Sequence, residues 1–317
     1  MIISNLILFV ISFAVLLQSA GYAIRFASML AKNLHMQEFL VSFFIVAFIS
    51  ILPESTISII SAFSGNPGLG FGTLIGSNVA DLSLIIGLVV LFSSKGIKIK
   101  STVLRNNFFY LALLPFPLIL GFDGHFSRVD GIILLIVGCM FFARIYMEHS
   151  RFRKKFNNES RKPFAKSLIL LILSMAVLMI SANYTVKFAV NFANDLKLPA
   201  LLIGLSVIAL GTCLPELMFS IRAIKKNRQS LALGDILGNV IIDSTIMLGI
   251  VALIAPFSYN PLNVYIIGGS MFLAGIFMTI FMRSGKTLTK LEGLLLILFY
   301  VLFLISAFFI NFLNGIH

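Results

Sequence analysis

Four acidic side chains sit where an acid is expensive. Glu54, Asp81, Glu216 and Asp243 all lie inside long apolar stretches, and two of them follow a proline, in Leu52-Pro53-Glu54 and Leu214-Pro215-Glu216. An ionisable residue inside a membrane-spanning segment marks an ion or substrate path by default. Insertion scales charge about 2.5 to 3.5 kcal/mol for an Asp at a helix centre, so four such residues cost on the order of 10 kcal/mol, more than helix packing alone returns. Each proline adds polarity, because it has no N–H to offer the carbonyl four residues earlier, that of Ile49 in one stretch and Gly211 in the other. Carboxylates, hydroxyls, an amide and freed carbonyls together suit a hard cation, above all Ca2+, which takes about six to eight oxygens. No His lies near these residues, which argues against zinc or iron.

The four acids form two pairs at one offset, 162 residues. Without a gap, the same offset carries Ser58 onto Ser220, Gly72 onto Gly234, Gly76 onto Gly238, Ser77 onto Asn239, Ser83 onto Thr245 and Gly87 onto Gly249. The chain therefore contains an internal repeat. Five apolar runs separate equivalent positions, and an odd number inverts the second copy in the membrane. Inverted repeats place their interrupted helices at the bilayer midplane, where Glu54, Asp81, Glu216 and Asp243 are expected to converge.

The elements that must position these residues are membrane helices. The chain is 59% hydrophobic and 11% charged, outside the soluble range. Ten apolar runs are long enough to span a bilayer, at roughly 3–31, 37–64, 68–93, 103–121, 129–148, 164–191, 197–224, 229–255, 261–282 and 290–313. The expected fold is all-α and polytopic, ten transmembrane helices in two inverted five-helix repeats. Residues 1–147 form the first repeat, 148–163 a basic linker and 164–317 the second repeat. The first run is too long for a signal peptide and reads as a retained helix. No stretch is left over for a soluble domain. Small residues four apart at Gly72 and Gly76 allow close helix approach, and Pro115 and Pro117 are expected to kink the fourth run. The runs at 103–121, 129–148, 164–191, 261–282 and 290–313 read as scaffold. His35 and Glu38 read as a polar turn at the water interface.

The net charge of +12 is distributed by loop. With 148–163 in the cytoplasm, 21 of the 24 basic residues fall on that side, and Arg128, Lys187 and Lys197 on the other. This is the positive-inside pattern, with lipid headgroups as counter-charge and no call for nucleic acid. It predicts a multi-pass protein of the cytoplasmic membrane with both termini outside. The two cysteines make no disulfide framework: Cys139 reads as a core residue, and Cys213 as a small packed thiol or, if a thiolate ligand, as a preference for a softer metal. The expected partners are inorganic cations and the lipid bilayer. A monomer is sufficient, and no organic cofactor is expected.

Pro53-Glu54 with Gly76-Ser77 and Asp81, and Gly211-Thr212-Cys213-Leu214-Pro215-Glu216 with Gly238-Asn239 and Asp243, resemble the two alpha-repeats of the calcium/cation antiporter superfamily, the sodium/calcium exchangers. The motif likeness covers about 80 residues, roughly 47–87 and 209–249; elsewhere the agreement is one of topology. The resemblance implies that Glu54 and Glu216 bind Ca2+ and share Na+. It also implies that the hydroxyls of Ser50 and Thr212 and the carbonyls of Ala47 and Ala209 coordinate ions, with Ser77, Asn239, Asp81 and Asp243 completing the site.

Two departures bear on the counter-ion. Ile51 and Cys213 stand where the family usually has serine hydroxyls that help form outlying sodium sites, and neither is a good Na+ ligand. Asp81 stands where many sodium/calcium exchangers carry Asn. Four carboxylates around one Ca2+ leave about two excess negative charges, which protons would neutralise, with Asp81 and Asp243 titrating as a pair. The expected function is thus a secondary antiporter that exports Ca2+ or a related divalent cation against H+, Na+ or both. Conventional Na+/Ca2+ exchange with altered stoichiometry is the alternative. An intramembrane enzyme using paired carboxylates as acid and base is a third reading, disfavoured because a duplicated site lacks the asymmetry of a nucleophile and substrate groove.

Overall fold

The computed structural model describes residues 2–32, 47–93, 96–98, 112–150, 164–195, 202, 204–259, 261–284 and 287–314. His35, Glu38 and residues 151–163 of the basic linker lie outside them, as do the starts of the runs at 37–64 and 103–121.

The first half contains α1 (Ile2–Lys32), α2 (Ala47–Ser50), α3 (Leu52–Phe63), α4 (Pro67–Ala80), a π-helical turn (Asp81–Ile85), α5 (Ile86–Phe92), α6 (Phe116–Leu120) and α7 (Arg128–Ser150). The second half contains α8 (Phe164–Asp195), a π-helical turn (Gly204–Ile208), α9 (Ala209–Thr212), α10 (Leu214–Lys225), α11 (Gln229–Ile241), a π-helical turn (Ile242–Met247), α12 (Leu248–Ile254), α13 (Pro261–Ser284) and α14 (Lys290–Asn314). Among the described residues, five helical stretches are long and apolar enough to cross a bilayer: Pro67–Phe92, Gly204–Lys225, Gln229–Ile254, Tyr265–Met282 and Lys290–Phe309. Ser4–Leu16 and Leu168–Leu178 are shorter apolar stretches within α1 and α8.

The repeat is visible in local geometry. Each Leu-Pro-Glu motif opens a helix with proline in its first turn, separated by a single residue, Ile51 or Cys213, from the short helix before it. The turn from α3 to α4 passes through Gly65 at φ 75°, and its counterpart from α10 to α11 through Asn227 at φ 56°. Both positions need the left-handed region that glycine, and next asparagine, tolerate at a helix C-terminus. In both halves the acid opens a π-helical turn, at Asp81 or one residue into the turn at Asp243. There the hydroxyls of Ser83 and Thr245 donate back to the carbonyls of Val79 and Ile241 four residues earlier, the side-chain competition that loosens a helix. Pro115 and Pro117 interrupt the helix around residue 114, with α6 starting afresh at Phe116.

Two strand pairs of two residues each join the halves. The strands are β1 (Ile97–Lys98), β2 (His125–Phe126), β3 (Phe257–Ser258) and β4 (Thr287–Leu288). β1 pairs antiparallel with β4 (Ile97 with Leu288), and β2 with β3 (Phe126 with Phe257). To within two residues, the repeat offset carries β1 onto β3 and β2 onto β4, so each pair maps onto the other. The core lies on α4, α5, α11 and α12, whose residues are buried on nearly every side. The outer helices α1, α7, α8, α13 and α14 turn large apolar side chains outward, as lipid contact requires. Cys139 is a correction: it is exposed on the outer face of α7, while its neighbour Gly138 meets Thr245 and Ile246. One residue is about 100° of helix, enough to exchange core for lipid.

Candidate functional site

Broken helices and π-helical turns bring the polar residues together inside the core. Ala47 and Ser50 lie on α2, Glu54 on α3, Ser77 on α4 and Asp81 at the first π-helical turn. Ala209 and Thr212 lie on α9, Glu216 on α10, Asn239 on α11 and Asp243 in the equivalent turn. All ten are buried. In each half a hydroxyl and a backbone N–H converge on one carbonyl: Ser50 Oγ and Ile51 N each lie 3.1 Å from the Ala47 oxygen, and Thr212 Oγ1 and Cys213 N each 3.1 Å from the Ala209 oxygen.

A fifth acid joins the expected four. Asp235, on α11, is fully buried and accepts a 3.0 Å hydrogen bond from Ser50 Oγ at Oδ1. Sequence comparison of the two halves passed over it because its repeat partner is Thr73, a neutral residue. The available signal was simpler, an acid within an apolar span.

Four of the acids face a neutral donor from the other half, and Glu216 has Asn239 of its own half beside it. Ser50 faces Asp235, Thr212 faces Glu54, and Ser77 Oγ lies 3.5 Å from Asp243 Oδ2. The Cys213 thiol faces Asp81 and donates to the Ser77 carbonyl at 3.7 Å. The Asn239 amide has two orientations. In one its nitrogen donates to Glu216 Oε1 at 3.5 Å; in the other it donates to the carbonyls of Ala47 (3.1 Å) and Asp235 (3.3 Å). The acids lie within electrostatic range of one another. Yet among the described residues no three His, Cys, Asp or Glu side chains stand close enough to bracket one ion. The expected convergence is therefore looser than a carboxylate cage, because hydroxyl, thiol and amide groups stand between the acids.

The arrangement is electrostatically incomplete. One oxygen of each acid, Glu54 Oε2, Asp81 Oδ1, Glu216 Oε2, Asp235 Oδ2 and Asp243 Oδ1, has no hydrogen-bond partner. Among the described residues no Lys, Arg or His is buried. Unpaired buried polar atoms and charges are costly, so five acids without a buried base leave a place for cations. Ile51 and Cys213, buried beside the site, add no oxygen side chain to it.

Gly76 sets the spacing between the halves at this point. A Cβ there would lie 2.9 Å from Leu205 Cα and 3.2 Å from Ala209 Cβ, so α4 approaches the strip carrying Ala209 as closely as backbone allows. Two helices expected to be scaffold also reach inward. Met271 Sδ on α13 accepts from Asn78 Nδ2 at 3.5 Å. Tyr300 on α14 is buried within electrostatic range of Cys213 and Asp81, its hydroxyl without a partner. Their signals were one of three methionines in an apolar run and a lone phenol in another, which spacing does not distinguish from packing.

Comparison with known proteins agrees with this architecture. The family described as sodium/calcium exchanger protein matches residues 4–147 and 166–309, both halves of the chain. The sodium/calcium exchanger MaX1 of Methanosarcina acetivorans is 26% identical, covering 98% of this chain and 100% of its own length. The inner membrane protein YrbG of Escherichia coli is 27% identical over 80% of this chain and 81% of its own. A solved structure of the sodium-calcium exchanger NCX_Mj, soaked with Na+ and Sr2+, shares the fold at a TM-score of 0.75 and 23% identity, covering 95% of this chain and 98% of its own.

Proposed function

The chain belongs to the sodium/calcium exchanger family, and from that premise we propose that it exports Ca2+ or a related divalent cation in exchange for H+, Na+ or both. It is an integral membrane antiporter; its relatives are transporters, which displaces the enzyme reading. The observation that carries the ion-binding assignment is the set of buried acids, each with an unpartnered oxygen and with no buried base among the described residues.

In this reading the ten expected transmembrane helices form two inverted repeats that rock about a central site. Glu54 and Glu216 are the principal cation ligands. Ser50, Thr212, Ser77, Asn239 and the carbonyls of Ala47 and Ala209 supply neutral oxygens, and Asp81 and Asp243 complete the set. No single cluster of acids encloses the ion, so neutral oxygens make up much of its shell, as a hard cation of high coordination number accepts. A bound cation cancels charge that would otherwise resist passage through the apolar barrier. The loaded protein therefore switches between faces, and the empty one does not.

Proton coupling is favoured over conventional Na+/Ca2+ exchange by Ile51 and Cys213, which offer carbon and sulfur where the family resemblance implies hydroxyls. Both termini face outside and the basic linker faces the cytoplasm in this reading, which the distribution of Lys and Arg supports.

The test is Ca2+ flux into proteoliposomes, driven in separate runs by a Na+ gradient and by a pH gradient with the membrane potential clamped. Flux should occur with the pH gradient alone and vanish in Glu54→Gln and Glu216→Gln. Normal exchange by either variant would sink the assignment. Flux on the Na+ gradient only would replace H+ by Na+ as the counter-ion.

A further inference from the structure

The two halves of the site are not equal. At the Ala47 end, Ser50 Oγ touches the Ala47 carbonyl (3.1 Å), Asp235 Oδ1 (3.0 Å) and the Asn239 amide (3.0 Å). At the Ala209 end, the repeat offset puts Thr212 in place of Ser50, Ser77 in place of Asn239, and Thr73 in place of Asp235. Thr73 contributes no charge, and its hydroxyl is turned back to donate to the Leu69 carbonyl of its own helix at 2.9 Å. Asp235 is fully buried, its Oδ2 has no partner, and it lies within electrostatic range of Glu54, Asp81 and Glu216. One carboxylate oxygen thus holds Ser50 while the other is left for a ligand.

We propose that Asp235 is a direct cation ligand, forming with the Ala47 carbonyl, the Ser50 hydroxyl and the Asn239 amide a subsite for a hard cation that has no charged counterpart in the other half. This rests on the antiporter reading above and extends it. The donors are all oxygen, which selects a hard cation over a thiophilic one. The added carboxylate raises affinity at this end, since charged-ligand count tunes the binding of such ions. A cation entering the site is held longer beside α2 and α11 than beside α9 and α4.

The experiment is equilibrium binding of Ca2+ and of Na+, each alone, to the purified full-length protein by titration calorimetry. The variants are Asp235→Asn, Asp235→Thr, Ser50→Ala, the Asp235→Asn/Ser50→Ala double variant and Glu54→Gln. Asp235→Thr gives both halves the same residue and serves as a second probe should the Asn variant not fold. The expected result is an apparent Kd raised at least about tenfold for one of the two cations, on the scale of metal-site substitutions. The loss must persist in the Ser50→Ala background. If Asp235 merely positions Ser50, Ser50→Ala alone will reproduce the loss and the double variant will add nothing, which overturns the proposal. Unchanged binding in both Asp235 variants while Glu54→Gln binds nothing also overturns it, and leaves the antiporter reading standing. Unchanged binding in Glu54→Gln as well, or no binding by the unaltered protein, removes both.

Discussion

Replacing Gly76 by alanine tests whether backbone spacing governs the site. The new methyl carbon would lie 2.9 Å from Leu205 Cα, 3.1 Å from the Leu205 carbonyl oxygen and 3.2 Å from Ala209 Cβ. Ordinary contact begins at 3.4 Å, and two of these three atoms are backbone, so no side-chain rotation relieves the overlap. Helix α4 must move away from the Leu205–Ala209 strip by about half an ångström. Overpacking of this kind costs about 1 to 3 kcal/mol, which appears as a fall of several degrees in the thermal midpoint of detergent-purified protein. The functional loss should be larger than the stability loss implies. The displaced strip carries the Ala209 carbonyl and leads to Thr212, while α4 carries Ser77, and misplacements of about 1 Å at a working site cost on the order of 100-fold. Gly269→Ala is the control, because nothing lies within 4 Å of a Cβ at that position. Ca2+ flux in proteoliposomes at matched protein density should fall at least about tenfold for Gly76→Ala and stay near normal for Gly269→Ala. Equal behaviour of the two variants would refute the argument that close approach at Gly76 sets the site.

Two further outcomes follow from the site's composition. Cys213→Ser puts a hydroxyl next to the Ser77 carbonyl and Asp81, and should raise Na+-driven Ca2+ flux relative to pH-driven flux; an unchanged ratio would dismiss Cys213 as a determinant of the counter-ion. Ca2+ should also stabilise the folded protein by mass action, by about 2.7 kcal/mol at a free concentration about 100 times the Kd, and the Glu54→Gln/Glu216→Gln double variant should lose that shift. A shift of the same size in the double variant would place the stabilising ion elsewhere.

Much of the architecture was legible because duplication writes it twice. Pro53-Glu54 and Pro215-Glu216 located the helix breaks, while the matching left-handed turns at Gly65 and Asn227 are a finding of the structure. The same reliance on symmetry hid Asp235, since a residue that differs between halves is invisible to a search for equivalence. Cys139 departs from its expected core position because a strongly apolar helix such as α7 leaves little periodicity to separate its lipid face from its core face. The spacing of the acids was not legible either. Sequence order places Glu54 and Glu216 at equivalent points, but only packing shows Thr212 opposite one and Asn239 beside the other.

The strand pairs at the ends of the bundle have a consequence for biosynthesis. β1 must wait for β4 and β2 for β3, across 190 and 132 residues of chain respectively. The neutral groups opposite Glu54 and Asp81, Thr212 and Cys213, also belong to the half made second. At elongation rates of about 5 to 20 residues per second, those separations correspond to roughly seven to forty seconds. For that time the half made first sits at the translocon with two acids unmet and two short strands unpaired. Newly made protein arrested before the second half should accordingly be the form most exposed to membrane quality control.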